Sequence, residues 1–308
     1  MNKGYIKIVF CLLSMLICMN NNILASEDTP EVSALRKYAL RSKARRNVAL
    51  RKNIPHNISP CELYEQNIHL LCTKYNETKK ATKLMDEAVE LLQQYATDTS
   101  DYYLYSIYED DVFLYFNKHV NPCVGKLKLK ISAPDAYEDI INLLWNPNAV
   151  YHFCKDFANG KVVRVYDPSL VIIQHRYINH TRSIQGYFYS LAKKVEISKY
   201  ITIIVMASAN INDYNAFDKN IYKNTIIESA NLFKIDIDSE DDIRNGKLIK
   251  MFVNLSGFII KKEDTHVDIT HIDSIEFNCP NVPWWYIRKA KAIKMLDFSK
   301  LKQLFDEK

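Results

Sequence analysis

The stretch that most constrains this chain is its last quarter, Met251 to Phe305, which reads strand, turn, strand, turn, long helix. Met251 to Ile260 is an apolar run with only small polar interruptions, and Lys261 to Asp264 is a charged turn. From Thr265 to Phe277 the chain alternates, with Val267 and Ile269 on one face and Asp268 and Thr270 on the other. That period of two marks a strand with one buried face. Cys279 to Trp285 ends the pair, and Pro283 suits a first helical turn, where its missing N–H costs nothing. Tyr286, Ala290, Ile293 and Leu296 then fall on one helical stripe, which Leu301, Leu304 and Phe305 continue after a break near Asp297–Ser299. Two adjacent tryptophans opening such a helix imply that it lies on something large and apolar.

Upstream, the pattern predicts a short helix over Glu62–Leu71 and a longer one over Asn76–Ala96. Asn76 is its expected cap, and Ala81, Leu84, Met85, Ala88, Leu91, Leu92 and Tyr95 form its stripe. A strand pair follows over Tyr102–Phe116, turning at Glu109–Asp111, and Lys126–Ile131 alternates as a third strand. Pro134–Trp145 reads as a helix opened by its proline. Then come hairpins over Val162–Tyr166 with Leu170–Tyr177, and over Tyr187–Ile197 with Thr202–Ile211, and a further strand over Thr225–Phe233. The order is that of an α+β domain, one antiparallel sheet with helices at its ends.

With 308 residues and 48% hydrophobic residues, such a domain can bury a full core. Residues 1–25 have the form of a signal peptide: Lys3 and Lys7, an apolar run over Ile8–Cys18, and Ala25 at a cleavage position. An uncleaved anchor is the alternative, but the run is short for a spanning helix. Residues 26–60 read as a basic linker, either a solvated spacer, which we favour, or a segment drawn to anionic lipid. Ten of the 41 basic residues and three of the 36 acidic ones lie in residues 1–52, leaving 31 against 33 beyond. The basicity belongs to the tail, which argues against nucleic acid as the partner of the domain. Of the five cysteines past the leader, Cys61 and Cys72 are the expected pair if any bridge forms; otherwise all five are free.

The ending "VNLSGFIIKKEDTHVDITHIDSIEFNCPNVPWWYIRKAKAIKMLDFSKLKQ" resembles the end of a START domain, with Asp273 closing the last strand and Val282–Trp285 leading into the helix. Segments "VVRVYDPSLVIIQHRY", "FYSLAKKVEIS", "TIIVMASANINDYN" and "KNTIIESANLFKIDIDSEDDIRNGKLIKMFVN" resemble the Plasmodium fam-a family of secreted or exported START-domain proteins. The resemblance implies a helix-grip fold over residues 61–308: a curved antiparallel sheet gripping the C-terminal helix around a lipid cavity. It also implies phospholipid transfer, with phosphatidylcholine as cargo, transient contact with a membrane surface, and secretion toward the parasitophorous vacuole or the host cell. A monomer is expected.

A lipid cavity must match the dryness of a bilayer. Each methylene is worth about 0.8 kcal/mol against water, so roughly 30 of them represent more than about 20 kcal/mol. Ile201, Ile203, Val205, Met206, Ile226, Ile227, Leu255 and Ile259 supply apolar material, either as cavity wall or as solid core. A choline head needs aromatic faces, and its phosphate needs a donor. Tyr187 and Tyr189 share a strand face and are the expected cage, with Trp145, Tyr151, Trp284 and Trp285 as further aromatic candidates. Arg164 and Arg176, charges within β runs, are the candidate phosphate ligands, and Asn210 is a polar candidate. There is no G-x-S-x-G, no H-E-x-x-H and no nucleophile beside a base, so no enzyme, metal or cofactor is expected. A host-protein interaction module on the same scaffold is the alternative function.

Overall fold

Alternation along the strands decides the architecture, because each strand sends successive side chains to opposite faces of one sheet. The computed structural model describes residues 59–109, 111–119, 121–154, 156–179, 184–278 and 282–305. The expected signal peptide, nearly all of the linker, and Cys279 lie outside the described residues.

The chain enters through α1 (Pro60–Gln66), closed by a Ser59–Glu62 capping box, and continues into α2 (Tyr75–Thr97). Lys74 is the N-cap of α2 and makes no side-chain cap bond, so the expected cap Asn76 lies one residue inside the helix. Strands β1 (Tyr102–Tyr108), β2 (Val112–Asn117) and β3 (Gly125–Ile131) follow, then α3 (Tyr137–Trp145). The hairpins are β4 (Phe157–Asp167) with β5 (Leu170–Asn179) and β6 (Ile184–Ser198) with β7 (Ile201–Ala207). Short elements come next: β8 (Asn210–Asn212), β9 (Lys234–Asp236), α4 (Asp241–Arg244) and β10 (Ile249–Lys250). The chain closes with β11 (Phe252–Lys262), β12 (Val267–Glu276), α5 (Trp284–Leu296) and α6 (Lys300–Phe305).

The main sheet runs β1-β2-β3-β12-β11-β7-β6-β5-β4, antiparallel throughout, with β10 pairing parallel to the start of β6. The C-terminal hairpin thus sits in the middle and joins the two halves. Its register pairs Phe258 with His271 across β11–β12 and Phe258 with Ile204 across β11–β7.

Two cores lie on the two faces. On one, α2 places Leu84, Met85 and Leu92 against Ile172, Tyr187, Ile203, Val205 and Leu255. Gly257 permits this approach: a Cβ there would lie 2.9 Å from Leu92 Cδ2 and collide with the Ile204 carbonyl. On the other face, α3, α5 and α6 contribute Ile140, Ala292, Met295 and Leu301 against Leu127, Ile173, Ile204 and Phe258.

Three expectations are corrected. Thr225–Phe233 is loop and a 3-10 turn, not a strand. The Asn224 side chain accepts from the N–H groups of Ile226 and Ile227 and donates to the carbonyls of Ser208 and Asn254, which winds the segment into a turn. Cys61 and Cys72 are unpaired. Finally, the buried positions of α5 are Tyr286, Arg288, Lys291, Ala292 and Met295, so part of the buried face is charged rather than the predicted Ala290–Ile293–Leu296 stripe.

Candidate functional site

Between α5 and the sheet face opposite α2 is a cavity of about 60 Å³. Residues of one parity from five strands reach it: Val171, Ile173, His175 and Tyr177 of β5, Phe188 and Ala192 of β6, and Ile204 and Met206 of β7. Ser256 and Phe258 of β11 and His271, Asp273 and Ile275 of β12 complete this wall. The end of α3 supplies Leu144 and Trp145, the turn after it Val150, Phe153 and Cys154, and the C-terminal helical segment Lys294, Asp297 and Phe298. Aromatic rings cluster here, Phe258 stacking on His271 with centroids 4.3 Å apart and the tilted Phe298 ring lying 4.6 Å from His271.

Against this apolar lining stands a small polar set. Four nitrogens that line the cavity are buried and have no hydrogen-bond partner among the described residues: Trp145 Nε1, His175 Nε2, His271 Nε2 and Lys294 Nζ. The ammonium of Lys294 rests over the Tyr177 ring at 4.5 Å. Burial, helped by the charge of Lys294, pushes the His175 imidazole down to about 3. Burial also lowers His271, whose Nδ1 is 2.9 Å from the Gly257 carbonyl. Burial alone would raise the Asp273 carboxyl, but the positive charges of Lys291 and Lys294 outweigh it and hold it below the usual range. Lys291 is fixed between that carboxylate, at 3.5 Å, and the Cys123 carbonyl, at 2.8 Å.

Of the sequence candidates, Trp145 lines the cavity. Tyr187 and Tyr189 do form a pair, with ring centroids 5.9 Å apart, but on the α2 face. Tyr187 donates to Asp213 at 2.8 Å, and the Tyr189 hydroxyl accepts from Gln174 at 2.6 Å. Arg164 is bound to Glu77 at 2.5 Å, and Arg176 to Asp242 and Glu240 at 2.6 and 3.0 Å. Tyr151, Asn210, Trp284 and Trp285 are exposed. The last two open α5, where the Arg288 guanidinium lies 4.7 Å from the Trp284 ring. Sequence reasoning passed over His175, His271 and Lys294. The signal for the first two was a histidine at an inward position of an otherwise apolar strand face; Lys294 had none.

The fold is shared with solved structures. Human StAR-related lipid transfer protein 5 superposes with a TM-score of 0.55 over 74% of this chain and 97% of that one, at 8% identity. Human STARD10 matches with a TM-score of 0.49 over 70% and 76%, at 9% identity. No family model matches the sequence, and no curated protein does. The likeness to the first of these structures, with the sheet closed against its C-terminal helix, identifies the chain as a START-like helix-grip fold.

Proposed function

We propose that this chain binds a membrane lipid in the cavity and carries it between membranes without a catalytic step, phosphatidylcholine being the cargo that the resemblance points to. The observation that carries this reading is an apolar cavity under α5, lined by a few unpartnered polar groups. That combination is what a lipid site requires, because the bulk of the ligand is apolar and only its head needs orientation. The shared fold with a human lipid transfer protein supports it. The domain boundaries 61–308, fam-a membership, secretion and a monomeric state belong to the same proposal.

The free volume matters. About 60 Å³ holds only a few water molecules. A drug-sized ligand already fills roughly 300–1,000 Å³. The described conformation is therefore the closed one, and α5 must shift for a two-chain lipid to enter. Trp284 and Trp285, about half exposed at its start, are amphipathic rings suited to touch the bilayer interface during that step.

The test uses the full chain, donor vesicles with fluorescent phosphatidylcholine and unlabelled acceptors, with native mass spectrometry on the same sample. Transfer with a one-to-one adduct is expected. A disulfide between Gly125→Cys of β3 and Met295→Cys of α5 should abolish transfer, and reduction should restore it. Unchanged transfer in the oxidised protein would show that the lipid enters elsewhere. The second reading, a protein-interaction module, has support from the outer strand β1, which exposes Leu104, Tyr105 and Ile107. Absence of both transfer and adduct with every phospholipid would favour it.

A further inference from the structure

We propose that Lys294, with the indole N–H of Trp145, holds an oxyanion of the cargo inside the cavity, either the phosphate diester of a phospholipid or the carboxylate of a fatty acid. The inference rests on the lipid reading above and narrows it to lipids that bring an anion into the cavity. The argument is one of charge. The Lys294 ammonium is buried and has no acceptor among the described residues. Its neighbours are the faces of Tyr177, at 4.5 Å, and Phe277, at 5.4 Å. Such faces attract a cation but accept no strong hydrogen bond. Two carboxylates line the same cavity, and each has a lysine of its own: Asp273 pairs with Lys291 at 3.5 Å and Asp297 with Lys300 at 2.5 Å. Three lysines thus share two carboxylates: Lys294 feels the field of Asp273 but has no carboxylate of its own in contact, and a buried ammonium so placed is disfavoured.

The other unpartnered groups divide by chemistry. Indole Nε1 of Trp145 only donates, so it adds to Lys294. The ring proton of His271 is committed to the Gly257 carbonyl at 2.9 Å, so its free Nε2 carries a lone pair. An anion would avoid that lone pair, whereas the cationic or hydroxyl-bearing part of a lipid head would face it. Lys294 depresses the proton affinity of both His175 and His271, which places all three groups within one electrostatic neighbourhood. Phe153, Phe188, Phe258 and Phe298 on the same wall offer little to a free inorganic anion and much to an acyl chain.

The experiment is a competition followed by native mass spectrometry on the full chain. Dioleoylphosphatidylcholine, oleic acid and dioleoylglycerol are offered together; the last has the same chains with a hydroxyl in place of the anionic head. The wild-type protein should retain an anion-bearing lipid over dioleoylglycerol by about tenfold or more, the scale of one charge-assisted hydrogen bond. Lys294→Met should erase that preference by lowering retention of the anion-bearing lipid, and Lys294→Arg should keep it. Which of the two anionic lipids responds identifies phosphate or carboxylate as the source. A Lys294→Met protein with an unaltered preference, or with equal losses for all three lipids, would overturn the inference. Wild-type uptake of dioleoylglycerol alone would overturn it and leave the lipid reading standing. Uptake of none would remove both.

Discussion

The two faces of the sheet are built from the same strands and end up opposite in character. Under α2 the polar groups singled out have partners: Tyr187 with Asp213, Tyr189 with Gln174, Arg164 with Glu77, and Arg176 with Asp242. Under α5 four cavity-lining nitrogens have none among the described residues. The covering helix makes the difference. α2 turns Ala81, Leu84, Met85, Ala88 and Leu92 toward the sheet, and these are buried in one aliphatic cluster. α5 turns Arg288 and Lys291 inward, with the Lys294 ammonium buried beside them. Long charged side chains cannot interdigitate like aliphatic ones and must each reach a polar partner. The described cavity thus lies under the helix that turns charged side chains inward.

The comparison can be broken most sharply at Asp273. Its carboxylate and the Lys291 ammonium are each only 3% exposed. Asp273→Asn leaves a buried lysine without its counter-charge and should cost about 3–5 kcal/mol in urea unfolding. A loss smaller than that of any single polar change under α2 would show that the cavity face is better solvated than its lining implies.

Acid offers a second and smaller perturbation of the cavity face. The folded His175 imidazole lies far below its unfolded value of roughly 6.5. Its stabilising contribution is complete above that value and fades as pH falls toward about 3, because only the unfolded chain takes up the proton. Between pH 7 and pH 5 this amounts to about 2 kcal/mol. The slope of stability with pH in that window should lessen by up to one proton in His175→Phe, and an unchanged slope would show that the imidazole already charges in the folded state. On the α2 face, Tyr187→Phe should cost least, about 1 kcal/mol, since Asp213 keeps its ion pair with Lys250 at 2.8 Å. Lipid uptake should not change.

Much of the fold was legible in the sequence, because hairpin turns and alternation are local. The strand pairs of the hairpins and the break in the C-terminal helix at Asp297–Ser299 follow from pattern, whereas the sheet's grip on that helix is what the START resemblance implies. The site was far less legible, and the reason is parity. Tyr187, Tyr189 and Arg176 are each one residue away from a cavity residue, namely Phe188 or His175. In a strand that single step is the whole thickness of the sheet. With helices covering both faces, both parities are apolar, and no local signal says which face is packed solid. The buried side of α5 was missed for a related reason, since a hydrophobic stripe cannot reveal buried lysines whose partners, such as Asp273, lie elsewhere in the chain.

Gly125 carries a last consequence. The thioether of Met295 rests directly on the bare backbone of β3 at this residue, with Phe116 Cε1 3.1 Å from where a Cβ would stand. The helix that roofs the cavity is therefore seated in a notch one methyl group deep. Alanine at residue 125 would fill that notch and displace the Met295 thioether, the free end of a flexible side chain, so the side chain yields there before the helix does.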